Sequence, residues 1–103
     1  MPSVRQIRQG VQVQGEDESL VWSFDFGPWL SASGISTASA AAKKYDTLAG
    51  AGSILSGSPT ISGCRVLHRI ATVTAGSRYR VEVGITDTDS NIWEGFMVLD
   101  GET

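Results

Sequence analysis

A chain of 103 residues is the length of one domain, and its content of 41% hydrophobic and 18% charged residues is that of a folded globule rather than a disordered segment. A formal net charge of −3 argues against a nucleic-acid binder, whose affinity rests on a basic field over phosphates. The single cysteine, Cys64, excludes an intrachain disulfide and a cysteine-based zinc site, so stability has to come from packing, as suits synthesis in a reducing cytosol.

Residues 1–9 are polar, with Arg5 and Arg8 and little to bury, and they read as an arm that orders against a partner. They lack the apolar core of a signal peptide, and no run in the chain approaches the ~20 apolar residues that span a bilayer. From Gly10 to Gln14 apolar and polar residues alternate at Val11 and Val13, the pattern of a first strand. The division expected is therefore 1–14 as arm and first strand, and 15–103 as the folded domain. Glu16-Asp17-Glu18 is an acidic turn, read as solvated.

Leu20 to Phe26 carries Leu20, Trp22, Phe24 and Phe26 at a period of two, which predicts a strand with one aromatic face toward a second sheet. Gly27-Pro28 ends it, because proline has no N–H for the ladder, and Trp29-Leu30 follow as a core plug. The stretch Gly34 to Ala41 is rich in alanine, which suits a helix on propensity. It lacks an apolar stripe at helical spacing and lies among strands, so an extended strand is the preferred reading. Residues 49–63 are rich in Gly, Ser, Ala and Thr, with one or two weak strands expected near Ser53–Leu55 and Thr60–Ser62, separated by turns.

The last third is more regular. Arg65–Thr74, Arg78–Thr86 and Ile92–Leu99 read as strands, divided by turns at Ala75-Gly76-Ser77 and Asp87–Asn91, with Asp100–Thr103 as a polar tail end. Tyr79, Val81, Val83 and Ile85 share one face and Arg80 and Glu82 the other, as in an antiparallel strand buried on one side. About seven short strands with turn signals every 8–12 residues predict an all-β, immunoglobulin-like antiparallel sandwich.

Candidate chemistry is sparse. Asp87-Thr-Asp89-Ser-Asn91 copies the start of a calcium loop, but Ile92 stands where that loop needs Gly and Val98 where it needs Glu, so a turn is expected. Cys64 and His68 would share a strand face ~13 Å apart, too far for a nucleophile–base pair. Gly50, Gly52 and Gly57 lack the Lys-Ser/Thr ending of a phosphate loop. No metal, cofactor or catalytic residue is assigned. Arg65, Arg69, Arg78 and Arg80 would form one basic face if their strands pair across Gly76, and arginine suits protein interfaces. Trp93, beside the Asp-rich turn, would be an exposed anchor for a neighbour or a glycan.

The block Trp22-Ser-Phe-Asp25, Trp29-Leu30, Gly34-Ile-Ser36, followed by Ala75-Gly-Ser-Arg-Tyr79-Arg-Val81-Glu-Val83-Gly-Ile-Thr86, resembles a family of small tailed-bacteriophage structural proteins over roughly residues 18–99. Thr74-Ala75-Gly76 stands where that family carries Gly-Gly. The resemblance implies a non-enzymatic virion component of the neck, tail or capsid, made in the bacterial cytoplasm. It would act in multiple copies as an adaptor or decoration that contacts itself and other virion proteins, with no nucleic acid and no membrane. The interface expected comprises Arg5, Arg8, Val11, Val13, Arg65, Arg69, Arg78, Arg80 and Trp93. The alternative is a carbohydrate- or receptor-binding module of a tail appendage.

Overall fold

The structure is a computed structural model, and it describes residues 5–30 and 33–103. Among the described residues seven strands follow in chain order: β1 (Arg5–Gly15), β2 (Leu20–Asp25), β3 (Ile35–Lys44), β4 (Leu55–Ser62), β5 (Arg65–Ile70), β6 (Arg78–Asp87) and β7 (Ile92–Glu102), with a short 3-10 turn at Gly52–Ile54. They form two sheets, of order β1-β7-β6-β3 and β2-β5-β4. All pairings are antiparallel except that of β1 with β7, which is parallel. The β2-β5-β4 sheet against β7-β6-β3 is the immunoglobulin arrangement, with the first strand moved from the edge beside β2 to the edge beside β7.

The core lies where the expected period-two faces meet. Phe24, Phe26, Val66 and Ile70 from the smaller sheet pack against Val81, Val83, Met97 and Leu99 from the larger, and each has 0% of its surface exposed. Leu30 plugs one end as expected, and Trp29 stands edge-on to Phe26 with ring centroids 5.4 Å apart. Tyr79 opens β6 and sends its hydroxyl back to accept the Thr74 N–H at 2.9 Å. This is the tyrosine corner of immunoglobulin-like domains, which pins the crossing between the sheets. Sequence reading did not single it out, although a Tyr directly after a Gly turn was its signal.

Four expectations change. Residues 5–9 are strand, not arm: Arg5 and Gln6 pair with Gly95 and Phe96, and the chain bulges at Gly10 (φ 76°) before Val11 resumes the pairing. The segment lies at the edge of the larger sheet, where a strand needs no apolar pattern on both faces; residues 1–4 lie outside the described residues. Second, β5 stops at Ile70, because Thr72 takes a left-handed φ of 55° that ends the ladder. Third, the supposed polar tail is the end of β7. Asp100, Gly101 and Glu102 pair with Val13, Gln14 and Gly15, and Gly101 is buried so close to the Thr74 carbonyl that a Cβ would sit 2.2 Å from it. Fourth, the one or two weak strands expected near Ser53–Leu55 and Thr60–Ser62 are a single strand, residues 55–62, preceded by the 3-10 turn, with Pro59 tolerated because β4 is an edge. The alanine-rich stretch is extended, as preferred: Ala38, Ala40 and Ala42 face inward in register with Ile85, Val83 and Val81.

Candidate protein-binding surfaces

The expected basic face does not form. β5 and β6 belong to different sheets, so Arg65 and Arg69 lie on one outer surface and Arg78 and Arg80 on the opposite one. The reason is that Ala71–Ser77 crosses the sandwich instead of making a hairpin; the Gly76 N–H binds the Gly101 carbonyl and Gly101 N–H the Ser77 carbonyl, which ties the crossing to β7. Each arginine has a local partner. Arg65 lies 3.9 Å from Asp25, Arg69 donates to Ser19, Arg78 makes a two-point contact with Asp100, and Arg80 lies 2.8 Å from Glu82 with its guanidinium 4.2 Å from the Phe96 ring centre.

Trp93 is half-buried, not an exposed anchor. It lies tilted against Trp29 at 6.2 Å and donates its indole N–H to Asp87 Oδ2 at 3.1 Å. The Asp87 side chain also accepts the backbone N–H groups of Asp89 and Asn91, so the calcium-like spacing is an aspartate-capped hairpin with Ser90 in the left-handed region. Burial opposes the charge on Asp87, but the bonds from Trp93, Asn91 and Asp89 outweigh it and hold the carboxyl below its ordinary pKa. The hydrogen bond from Arg78 likewise lowers Asp100, and Asp100 in turn raises Arg78. At Tyr79 burial is outweighed by the bond from Thr74, which lowers the hydroxyl's pKa.

His68 is 3% exposed, faces inward opposite Trp22, and places Nδ1 2.9 Å from the Arg69 carbonyl. Cys64 is half-buried against the core. Among the described residues no group of three or more His, Cys, Asp and Glu could hold a metal ion.

The N-terminal strand carries the rest of the expected interface. Its inner side is clasped to the smaller sheet. Gln14, 1% exposed, donates to the carbonyls of Ile70 (2.8 Å) and Glu18 (2.9 Å) and accepts the Trp22 indole N–H (2.7 Å). Arg8 lies over the same indole at 5.2 Å and donates to the Ser23 carbonyl. On the outer side Val11 and Val13 are each 47% exposed, in register with Val98 and Asp100. Arg5 stands at the start of this edge, opposite Gly95.

The register of β7, β6 and β3 lays out the rest of that outer surface in rows. Ile92, Thr86 and Thr37 form one row, Glu94, Gly84 and Ser39 the next, then Phe96, Glu82 and Ala41, then Val98, Arg80 and Lys43. The small side chains around Gly84 leave a hollow of about 320 Å³ between Glu94, Ser39 and Ile92, and Ile92 is 70% exposed. Sequence reading missed Glu94, Gly84 and Ile92, since nothing but cross-strand register brings them beside Ser39. Comparison with family models and with curated proteins returned no match to this chain.

Proposed function

We propose that this protein is a structural component of a tailed-phage particle, present in many copies and acting as an adaptor or decoration through protein–protein contacts. The observation that carries the binding role is the outer surface of the larger sheet. There Val11 and Val13 lie exposed beside Val98, and the stripe is bordered by Arg78 paired with Asp100 and Arg80 stacked on Phe96. An apolar stripe with aromatic and arginine side chains at its border is the chemistry of a protein interface. The assignment to a virion rests on the resemblance of the Trp22–Asp25, Trp29-Leu30 and Tyr79–Thr86 blocks to phage structural proteins.

Because residues 5–15 complete the larger sheet, contacts are made by folded surfaces and sheet edges, and residues 5–14 do not serve as a free arm. The test is quantitative mass spectrometry, with isotope-labelled peptides of this chain, on gradient-purified particles from the culture that encodes it. A fixed multicopy ratio to the major capsid protein is expected. Absence of the chain from the particles overturns the reading.

A further inference from the structure

We propose that the outer surface of the β7-β6-β3 part of the larger sheet binds the same surface of a second copy, face to face about a two-fold axis. This deepens, and rests on, the multicopy reading above by naming the partner.

The charges on the face carry the argument. Lys43 and Arg80 share one carboxylate, Glu82, at 3.0 and 2.8 Å, which leaves one positive charge in excess. Glu94 lies two rows away and has no ion-pair partner among the described residues, which leaves one negative charge in excess. The separation along β7 from Glu94 to Val98, the row of Arg80 and Lys43, is ~13 Å. The face is therefore dipolar along the strands, a pattern complementary to itself when turned end over end.

Consider an axis running across the strands at the level of Phe96 and Glu82. It lays β7 on β7 and β3 on β3 with directions reversed, so each row meets the row equally far beyond the axis. Gly84 and Ser39 of one copy then face Arg80 and Lys43 of the other. The hollow at Gly84 receives a basic side chain, and Glu94 on its wall accepts the charge. Lys43, with 35% of its side chain exposed and a flexible stem, has the freedom to enter it. The two Phe96 rings, each with the guanidinium of its own Arg80 stacked on it, come together at the axis. Ile92 of each copy lands at the row of Arg78 and Asp100, next to the exposed Val13 of the other, so the large hydrophobic residue with the highest exposure among the described residues is covered too. A contact in which residue i meets residue j and j meets i is what a closed two-fold dimer requires.

The available area fits a weak dimer. Ten residues of β6 span ~33 Å and three strands ~14 Å, giving ~460 Å² per copy, against ~800 Å² per partner in a standard stable interface. Association in the micromolar range and sensitive to salt is expected, the regime in which a particle component assembles at high local concentration.

The experiment is sedimentation equilibrium of the full chain over a wide concentration range, at low and high salt. The expected result is a monomer–dimer equilibrium weakened by salt. Glu94→Lys should raise the dimer Kd by about tenfold or more, since symmetry makes each substitution count twice. The charge swap Glu94→Lys with Lys43→Glu should restore association. Gly84→Leu, which fills the hollow, should abolish it; a Cβ there lies 3.2 Å from the end of the Ser39 side chain and 3.9 Å, an ordinary contact, from the Trp93 carbonyl oxygen, so the fold has room to adjust. Unchanged melting curves confirm that each variant is folded, and Glu94→Lys, at an outward position, serves if Gly84→Leu is not. A monomer at the highest concentration and lowest salt overturns the proposal, as does a dimer indifferent to Glu94→Lys. A chain that is monomeric yet stoichiometric in particles refutes this face and leaves the adaptor role standing; a dimer absent from particles does the reverse.

Discussion

Replacing Gln14 tests whether the first strand is held by the clasp described above. Gln14→Ala removes three hydrogen bonds of 2.7–2.9 Å at a residue 1% exposed, and strands the Trp22 indole N–H and the carbonyls of Ile70 and Glu18. A buried hydrogen bond contributes roughly 0.5–1.5 kcal/mol net, and a donor or acceptor left unpaired costs more. The expected loss is about 3 kcal/mol, a large share of the ~5–15 kcal/mol that stabilises a domain. At about 4–8 °C per kcal/mol for a domain of this size, the melting temperature should fall by roughly 12–24 °C in thermal denaturation followed by circular dichroism.

Gln14→Glu refines the test. Its carboxylate can accept from Trp22 but meets two carbonyl oxygens, so burial and those carbonyls raise its pKa in the folded state. A raised pKa means a contribution present at low pH and lost as pH rises through the folded value. The variant should thus be closer to wild type at pH 4 than at pH 7 in relative stability. A Gln14→Ala protein melting within a few degrees of wild type would refute the reasoning, because it would mean that water or backbone adjustment satisfies all three groups.

Other outcomes follow from the same geometry. Asp87 has a lowered pKa, so its stabilising contribution is present above the ordinary carboxylate range and lost as pH falls through the folded value; Asp87→Asn should flatten the acid limb of a stability–pH curve measured by urea denaturation. Gly95→Ala places a methyl 2.9 Å from Ile7 Cβ and should detach the first half of β1, read as faster amide exchange at residues 5–9, while adding Ile7→Gly, which removes that Cβ, should restore protection in part. Tyr79→Phe leaves the Thr74 N–H unpaired and should cost about 1–3 kcal/mol in chemical denaturation with the fold retained.

Much of the fold was legible in the sequence because a strand buried on one face writes a period of two. Trp22-Ser-Phe24-Asp-Phe26 and Tyr79-Arg-Val81-Glu-Val83 show that pattern, and both faces point as it says. Elements failed where the reason for strand formation lies elsewhere in the chain. Residues 5–9 and Asp100–Glu102 have no apolar pattern of their own, and each is a strand because the other strand supplies its hydrogen-bond partners. Val11 and Val13, two residues of the expected interface, lie on the outer side of the first strand, each 47% exposed. The basic face was lost because the sequence cannot say whether the turn at Gly76 joins neighbours in one sheet or crosses to the other.

By itself the sequence determined an all-β domain, which residues face the core, and that Asp87–Asn91 is a turn, since these depend on local periodicity and turn chemistry. The tertiary structure alone decided that β1 runs parallel to β7, that the four arginines divide between opposite surfaces, that Trp93 is half-buried against Trp29 and Asp87, and that Glu94, Gly84 and Ser39 form one row. Each depends on cross-strand register between segments distant in the chain, which the packing of the whole core selects and no local stretch encodes.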